Sequence, residues 1–267
     1  MSQPLPGSLE HLGVLVTRPA HQSQQLIQYL TDAGATVIAF PAIKIVPITL
    51  DASSLQHLQG LQDYQVIIFI SANAVEYGLK HIQQKLPCTG QHIAAIGTAT
   101  RQALHHHQLS VDLNPTGGFS TENLLELDAL QADNIGQQRI LIIRGKGGRE
   151  ALATTLRQRG AIVDYAEVYE RRVPEADIQP IIRLWADGQI QVITVSSNEI
   201  LQNLYHMAGT DGQHLLRQIN LVVPGQRCAQ LATKLGFSST IVIADSATDD
   251  AMLQAIKHWY KQNFKKA

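Results

Sequence analysis

Seven short stretches combine hydroxyl, amide, glycine and arginine residues: Thr17-Arg18-Pro19, Ser71-Ala72-Asn73, Gly97-Thr98-Ala99-Thr100, Gly117-Gly118-Phe119-Ser120-Thr121, Arg144-Gly145-Lys146-Gly147-Gly148-Arg149, Ser196-Ser197-Asn198 and Pro224-Gly225-Gln226-Arg227. Most follow an apolar run and open a helical pattern. Helix N-capping alone explains Ser, Thr or Asn at one such start. Seven of them around one cleft point instead to anion binding by free backbone N–H groups. A single exposed helix start contributes only about 0.3–1 kcal/mol to an anion. The ligand expected is therefore multiply charged and held by several loops together.

Other chemistries are excluded by residue type. Gly145-Lys146-Gly147-Gly148-Arg149-Glu150 lacks the third glycine of a dinucleotide fingerprint, where Glu150 stands, and the Ser or Thr that follows Gly-Lys in a P-loop. His105-His106-His107 are consecutive on a helical pattern, point in different directions and lack carboxylate or cysteine partners, so no metal site is expected. Cys88 has no neighbouring base, Cys228 lies inside a helical pattern, and no Gly-x-Ser-x-Gly elbow exists. Tyr169 stands apart. It lies on an extended stretch, Glu167-Val168-Tyr169-Glu170-Arg171-Arg172-Val173-Pro174, outside any strand–helix unit. There it either packs as a hinge plug or donates a proton, given a partner that compensates for an ordinary pKa near 10.

Charge and composition narrow the class further. The 267 residues carry 21 Lys+Arg against 22 Asp+Glu, and 45% are hydrophobic. This is a globular composition with no basic surface for nucleic acid. No apolar run reaches the roughly 18 residues of a membrane span, and the start of the chain shows no signal peptide, so a cytoplasmic location is expected.

The elements that must position these loops repeat. Val14 and Ile140 open equivalent strands 126 positions apart, and Gly34 and Gly160 end equivalent helices at the same offset. Val66-Ile67-Ile68-Phe69 corresponds to Val192-Ile193-Thr194-Val195, again 126 on. Two later pairs continue the order, His92–Gly97 with Asn220–Gly225 and Thr121 with Thr248. Continuously apolar strands alternating with helices predict parallel sheets covered on both faces. The fold expected is α/β, two doubly wound parallel-sheet domains of like topology arising by internal duplication. Turns are expected at 114–118 and 208–212. The extended stretches at 41–47 and 167–174 occupy equivalent places and read as paired connectors.

Taken together, these stretches resemble the uroporphyrinogen-III synthase family over nearly the whole chain. The resemblance rests on Thr17-Arg18-Pro19, Phe40-Pro41, Ser71 with Asn73, Ile96-Gly97, Arg144-Gly145 with Gly148-Arg149-Glu150, and Val168-Tyr169-Glu170-Arg171. Leu221-Val222-Val223, Leu235-Gly236 and Thr248-Asp249-Asp250 complete the ordered set. It implies a swapped domain organisation: residues 1–38 with 175–267 form one domain and 48–166 the other. The stretches 39–47 and 167–174 would be the connectors, forming a two-stranded ladder.

The resemblance also implies the reaction. Linear hydroxymethylbilane is cyclised to uroporphyrinogen III without cofactor or metal, losing water and inverting its last pyrrole ring through a spiro intermediate. For that reaction Tyr169 is expected to assist departure of the hydroxyl, as general acid or through a bound water. Arg18, Ser71, Asn73, Gly97, Thr98, Ser120, Thr121, Arg144, Gly145, Arg149, Ser197 and Asn198 would hold the substrate. Gln226-Arg227 departs from relatives that offer a hydroxyl after the preceding glycine, which removes that role from the loop. A monomer is expected, with the linear tetrapyrrole as its partner, no nucleic acid and no membrane. A transient contact with the preceding pathway enzyme stays open. So does a non-catalytic two-domain module that binds a small polyanion; turnover separates the two.

Overall fold

The computed structural model describes residues 8–83, 86–115, 120–148 and 150–264. The first elements are β1 (Gly13–Val16), α1 (Ala20–Asp32), β2 (Thr36–Ala39), β3 (Lys44–Pro47), α2 (Ala52–Gln59), β4 (Val66–Phe69) and α3 (Ala72–Gly78). There follow β5 (His92–Ala95), α4 (Thr98–His106), α5 (Thr121–Leu125), α6 (Ala132–Ile135), β6 (Arg139–Gly145), α7 (Ala151–Gln158) and β7 (Ile162–Arg172). The chain closes with α8 (Gln179–Ala186), β8 (Val192–Thr194), α9 (Asn198–Leu216), β9 (Asn220–Val223), α10 (Gln226–Lys234), β10 (Ile241–Ile243) and α11 (Asp249–Phe264). No described helix is long and apolar enough to cross a membrane.

Two compact units result, Met1–Lys44 with Arg172–Ala267, and Ile45–Arg171. The first holds a sheet of order β10-β9-β8-β1-β2, parallel throughout. The second holds β3-β7-β6-β4-β5, in which β4 to β7 are parallel. The sheets explain why the strands are apolar without alternation. In the first, Val14, Val16, Val192 and Val222 pack with Leu26, Leu30, Met252 and Ile256, while Leu15, Ile193, Leu221 and Val223 pack on the other face with Trp185, Leu201 and Leu204. In the second, Ile67, Phe69, Leu141 and Ile143 meet Leu58, Val75 and Leu104, and Val66, Ile68, Ile140 and Ile142 meet Leu124, Leu152 and Leu156. Both faces of every central strand are buried, which is what removes the polar alternate positions.

The 126-residue offset is exact in the hydrogen-bond ladders. Val14 pairs with Val37 on one side and Val192 on the other; Ile140 pairs with Val163 and Val66. Even a side-chain bond recurs. Gly13 N donates to Gln191 Oε1 at 2.6 Å, and Arg139 N donates to Gln65 Oε1 at 2.8 Å. Gly34 (φ 92°) and Gly160 (φ 90°) end α1 and α7 in the left-handed conformation that glycine adopts without steric cost. Leu113 forms a single parallel bridge with Ala94, at the place β10 occupies beside β9. The order β10-β9-β8-β1-β2 thus repeats as Leu113-β5-β4-β6-β7.

Two local expectations change. The stretch 167–174 is not a separate strand: β7 runs unbroken for 11 residues to Arg172, with β3 as its sheet neighbour. The division accordingly falls at Lys44 and Arg171, inside the stretches expected as connectors. The turn expected at 208–212 is a break within α9, confined to Gly209 (φ 60°), because Gly212 packs closely on Ile182 and the helix resumes. The turn at 114–118 lies partly outside the described residues.

Candidate active site

Parallel strands all end at one edge of their sheet, so the loops leaving them gather there. In the second unit, that edge receives Ser71 after β4, Gly97 after β5, Gly145 at the end of β6 and Tyr169 near the end of β7. Simple alternation along β7 would turn Tyr169 away from the face that carries Ala166 and Val168. A register shift at Arg144/Gly145 pairs Gly145 with Tyr169 directly, skipping Val168. Val168 and Tyr169, adjacent in sequence, consequently belong to the same core face. Such bulges re-aim side chains beside functional sites.

The phenol enters a space that only glycine leaves open. A Cβ on Gly145 would lie 2.6 Å from both Cε2 and Cζ of the Tyr169 ring. Tyr77 covers the ring from another side, centroid to centroid 5.9 Å. Tyr169 is only 2% exposed, and its hydroxyl lies 3.0 Å from Ser71 Oγ. Ser71, half-buried, is also the N-cap of α3, accepting Ala74 N–H at 3.1 Å.

The duplication isolates what is special here. Ser197 caps α9 through Ile200 N–H at 3.2 Å, as Ser71 caps α3. Ala42 and Ile43 share one core face, as Val168 and Tyr169 do. Position for position, however, Ile43 stands where the second unit has Tyr169. Ser71 therefore meets a tyrosine hydroxyl where the equivalent position beside Ser197 carries an isoleucine.

The glycine-rich stretch wraps an arginine. Arg144 is 2% exposed; its Nη1 donates to Glu150 Oε1 at 2.9 Å, its Nη2 to the Gly147 carbonyl, and its guanidinium lies 4.6 Å from the Tyr165 ring centroid. Gly148 (φ 103°) passes so close that a Cβ would lie 2.9 Å from Nη2. Lys146 N donates to the Tyr169 carbonyl at 2.7 Å and Gly147 N to Glu167 Oε1 at 3.0 Å, stapling the loop to β7. The hydrogen bond from Tyr165, with the Arg144 pair, holds the Glu150 carboxyl below its ordinary range.

Arg18, the counterpart of Arg144, is 7% exposed and pairs with Asp249 at the start of α11 and with the Ala247 carbonyl. Its Nε is buried without a hydrogen-bond partner. Each guanidinium is thus paired with an acidic side chain of its own unit.

The remaining expected residues lie at sheet edges. Gly97 and Thr98 open α4, with open space beyond the Gly97 Cα. Ser120 caps α5, accepting Asn123 N–H at 3.2 Å and donating to Asn123 Oδ1 at 2.8 Å, next to Thr121. Asn73 is half-buried in the first turn of α3, and Ser197 and Asn198 open α9 at the edge of the other sheet. Arg149 lies outside the described residues. Sequence reasoning missed Tyr77 as a wall of the site and the acids that neutralise the two arginines. The equal offset of Arg18 and Arg144 was the one signal that the pair share a structural task. Among the described residues, no group of three or more His, Cys, Asp or Glu is arranged to hold a metal ion.

The sequence pattern described as uroporphyrinogen-III synthase HemD matches residues 24–254. The chain is 32% identical to uroporphyrinogen-III synthase of Escherichia coli (strain K12) over 250 residues, covering 92% of this chain and all of that relative. The chain belongs to the uroporphyrinogen-III synthase family. A second synthase, from Proteus mirabilis, is 36% identical over 197 residues, 72% of this chain and 97% of the relative. Among solved structures, a mutant uroporphyrinogen III synthase from the extremely thermophilic bacterium Thermus thermophilus superposes with a TM-score of 0.63 at 13% identity, over 94% of this chain and 100% of that one. The enzyme from Helicobacter pylori 26695 gives 0.61 at 14% identity, over 93% and 99%. At such identities the structural likeness is one of fold, and it is the two-sheet α/β fold of the synthase family. Membership makes this chain an enzyme of porphyrin biosynthesis.

Proposed function

We propose that the protein closes linear hydroxymethylbilane into uroporphyrinogen III, a cyclising elimination of water with inversion of the last pyrrole ring. Loss of the terminal hydroxyl as water leaves an electrophilic azafulvene. Attack on it through the substituted position of the last ring gives a spiro intermediate, which fragments and recloses with that ring inverted. Unaided closure gives the uninverted isomer, so geometry must be imposed as well as rate.

The observation that carries this reading is the Tyr169–Ser71 pair, hydroxyls 3.0 Å apart at the carboxyl edge of a parallel sheet, where the duplicate half has Ile43 and Ser197. It supplies the proton that makes the departing hydroxyl a better leaving group. Asn73, Gly97, Thr98, Ser120 and Thr121 in one unit, and Ser197 and Asn198 in the other, are the proposed partners of the substrate carboxylates. Arg144 braces the turn at Gly145 and Gly147 beside Tyr169, and Arg18 the segment that opens α11. The chemistry asks for no electron transfer and no group carrier. Incubating purified protein with freshly generated hydroxymethylbilane, then oxidising and separating the product isomers, tests the reading: isomer III in excess is expected. Isomer I alone, at the spontaneous rate and from folded protein, would overturn it.

A further inference from the structure

We propose that Ser71, not Tyr169, is the group that touches the departing hydroxyl, and that Tyr169 acts through it as a positioning residue and proton reserve. The proposal rests on the synthase reading and assigns the order of the groups within it.

Exposure sets that order. Tyr169 is 2% exposed, walled by Gly145 and Tyr77, and its hydroxyl meets Ser71 Oγ at 3.0 Å. Ser71 is half-buried and stands at the sheet edge. A serine hydroxyl has one proton and two acceptor sites. Ala74 N–H occupies one acceptor site at 3.1 Å. A Tyr169 O–H donated to the second leaves the Ser71 proton free to point away from the protein core. Either oxygen of the pair can donate, and the relay uses the arrangement in which Tyr169 donates to Ser71. Ser197 shows that the capping task needs no such partner, since Ile43 fills the equivalent position in the other half.

Atoms and electrons balance in this step. The bond from the terminal methylene to its hydroxyl oxygen breaks, and the electron pair leaves with oxygen. The Ser71 proton passes to that oxygen, giving water, while the Tyr169 proton passes to Ser71 Oγ. The proton lost when the final pyrrole ring regains aromaticity returns through Ser71 to the tyrosinate, so the pair ends as it began.

The test compares Ser71→Asn, Ser71→Thr, Tyr169→Phe and the double variant Ser71→Asn with Tyr169→Phe. Asparagine caps a helix as well as serine but offers no comparable acid, so the melting temperature is held while the chemistry is removed. Expected for Ser71→Asn is a fall in kcat of about 10²-fold or more with little change in KM, and a rise in isomer I. Threonine should restore most of the turnover. The double variant should be no slower than the slower single one, because two members of one relay fail together. Wild-type kcat and isomer ratio in Ser71→Asn, alongside loss in Tyr169→Phe, would overturn the relay and leave Tyr169 as the group that touches substrate. Multiplying losses in the double variant would overturn it too. Absence of isomer III from the wild-type protein would instead overturn the synthase reading itself.

Discussion

Gly145 and Tyr169 are paired across β6 and β7, and the phenol ring fills the volume that any side chain at 145 would need: a Cβ would sit 2.6 Å from two ring carbons. Glycine here serves close approach. The pair couples the end of one strand to the chemistry carried by the next.

Gly145→Ala should therefore act on both stability and turnover. Overpacking of this kind costs about 1–3 kcal/mol, and relief requires the ring to move off Ser71. Chemical denaturation and kcat, measured on the same preparation, should fall together. Full turnover with a wild-type midpoint would show that the ring is not confined as described.

Arg18 and Asp249 give an asymmetric prediction. Arg18 is 7% exposed, whereas the Asp249 side chain is 21% exposed at the first turn of α11, where the helix favours negative charge. Asp249→Ala strands a buried guanidinium, with a cost near the lower end of the roughly 3–5 kcal/mol seen when a buried pair is broken. Arg18→Met leaves a carboxylate that water and the helix start still stabilise, so it should cost less. Urea unfolding of the two variants decides; the reverse order would contradict the burial assigned to Arg18.

A second polar cluster, away from the carboxyl edge, sets a pH dependence. Asp164 accepts Tyr64 Oη at 2.9 Å and Arg139 Nη2 at 3.0 Å. Burial pushes its carboxyl up, but the bonds from Arg139 and Tyr64 and the nearby His57 outweigh that and hold it below its ordinary 3.8. Burial and the Asp164 carboxylate push the Tyr64 phenol well up. A depressed carboxyl contributes stability that is complete above its unfolded value and lost as pH falls through the folded one. Asp164→Asn should thus lower the melting temperature at pH 7, and the gap to wild type should narrow below about pH 4. A gap that stays constant from pH 7 to pH 3 would remove the ionised carboxylate as its source.

Much of this was legible in the residues. Val14, Ile140, Val66 and Val192 carry the duplication in their spacing, and the ladders keep that register residue for residue. The swap of strands between halves was not legible from pattern, since a βαβ unit reads the same whichever sheet receives it; the family resemblance supplied it. Nor does hydropathy reveal the register shift that turns Tyr169 onto the face of Val168, because a bulge adds no apolar signal. The local packing around Arg144 was not legible either. Its glycine-rich surroundings look like a ligand cradle, and Gly147 and Gly148 do form one, but for the arginine's own guanidinium.

The Tyr169 hydroxyl, working with Ser71, is assigned the task of driving departure of the substrate hydroxyl. Tyr169→Phe removes that single oxygen and keeps the ring that Gly145 and Tyr77 enclose. Given fresh hydroxymethylbilane beside wild type, the variant should turn over about 10²-fold more slowly or worse, with its product shifted toward isomer I as spontaneous closure competes, while its melting temperature stays close to wild type. Undiminished formation of isomer III by Tyr169→Phe would contradict that assignment.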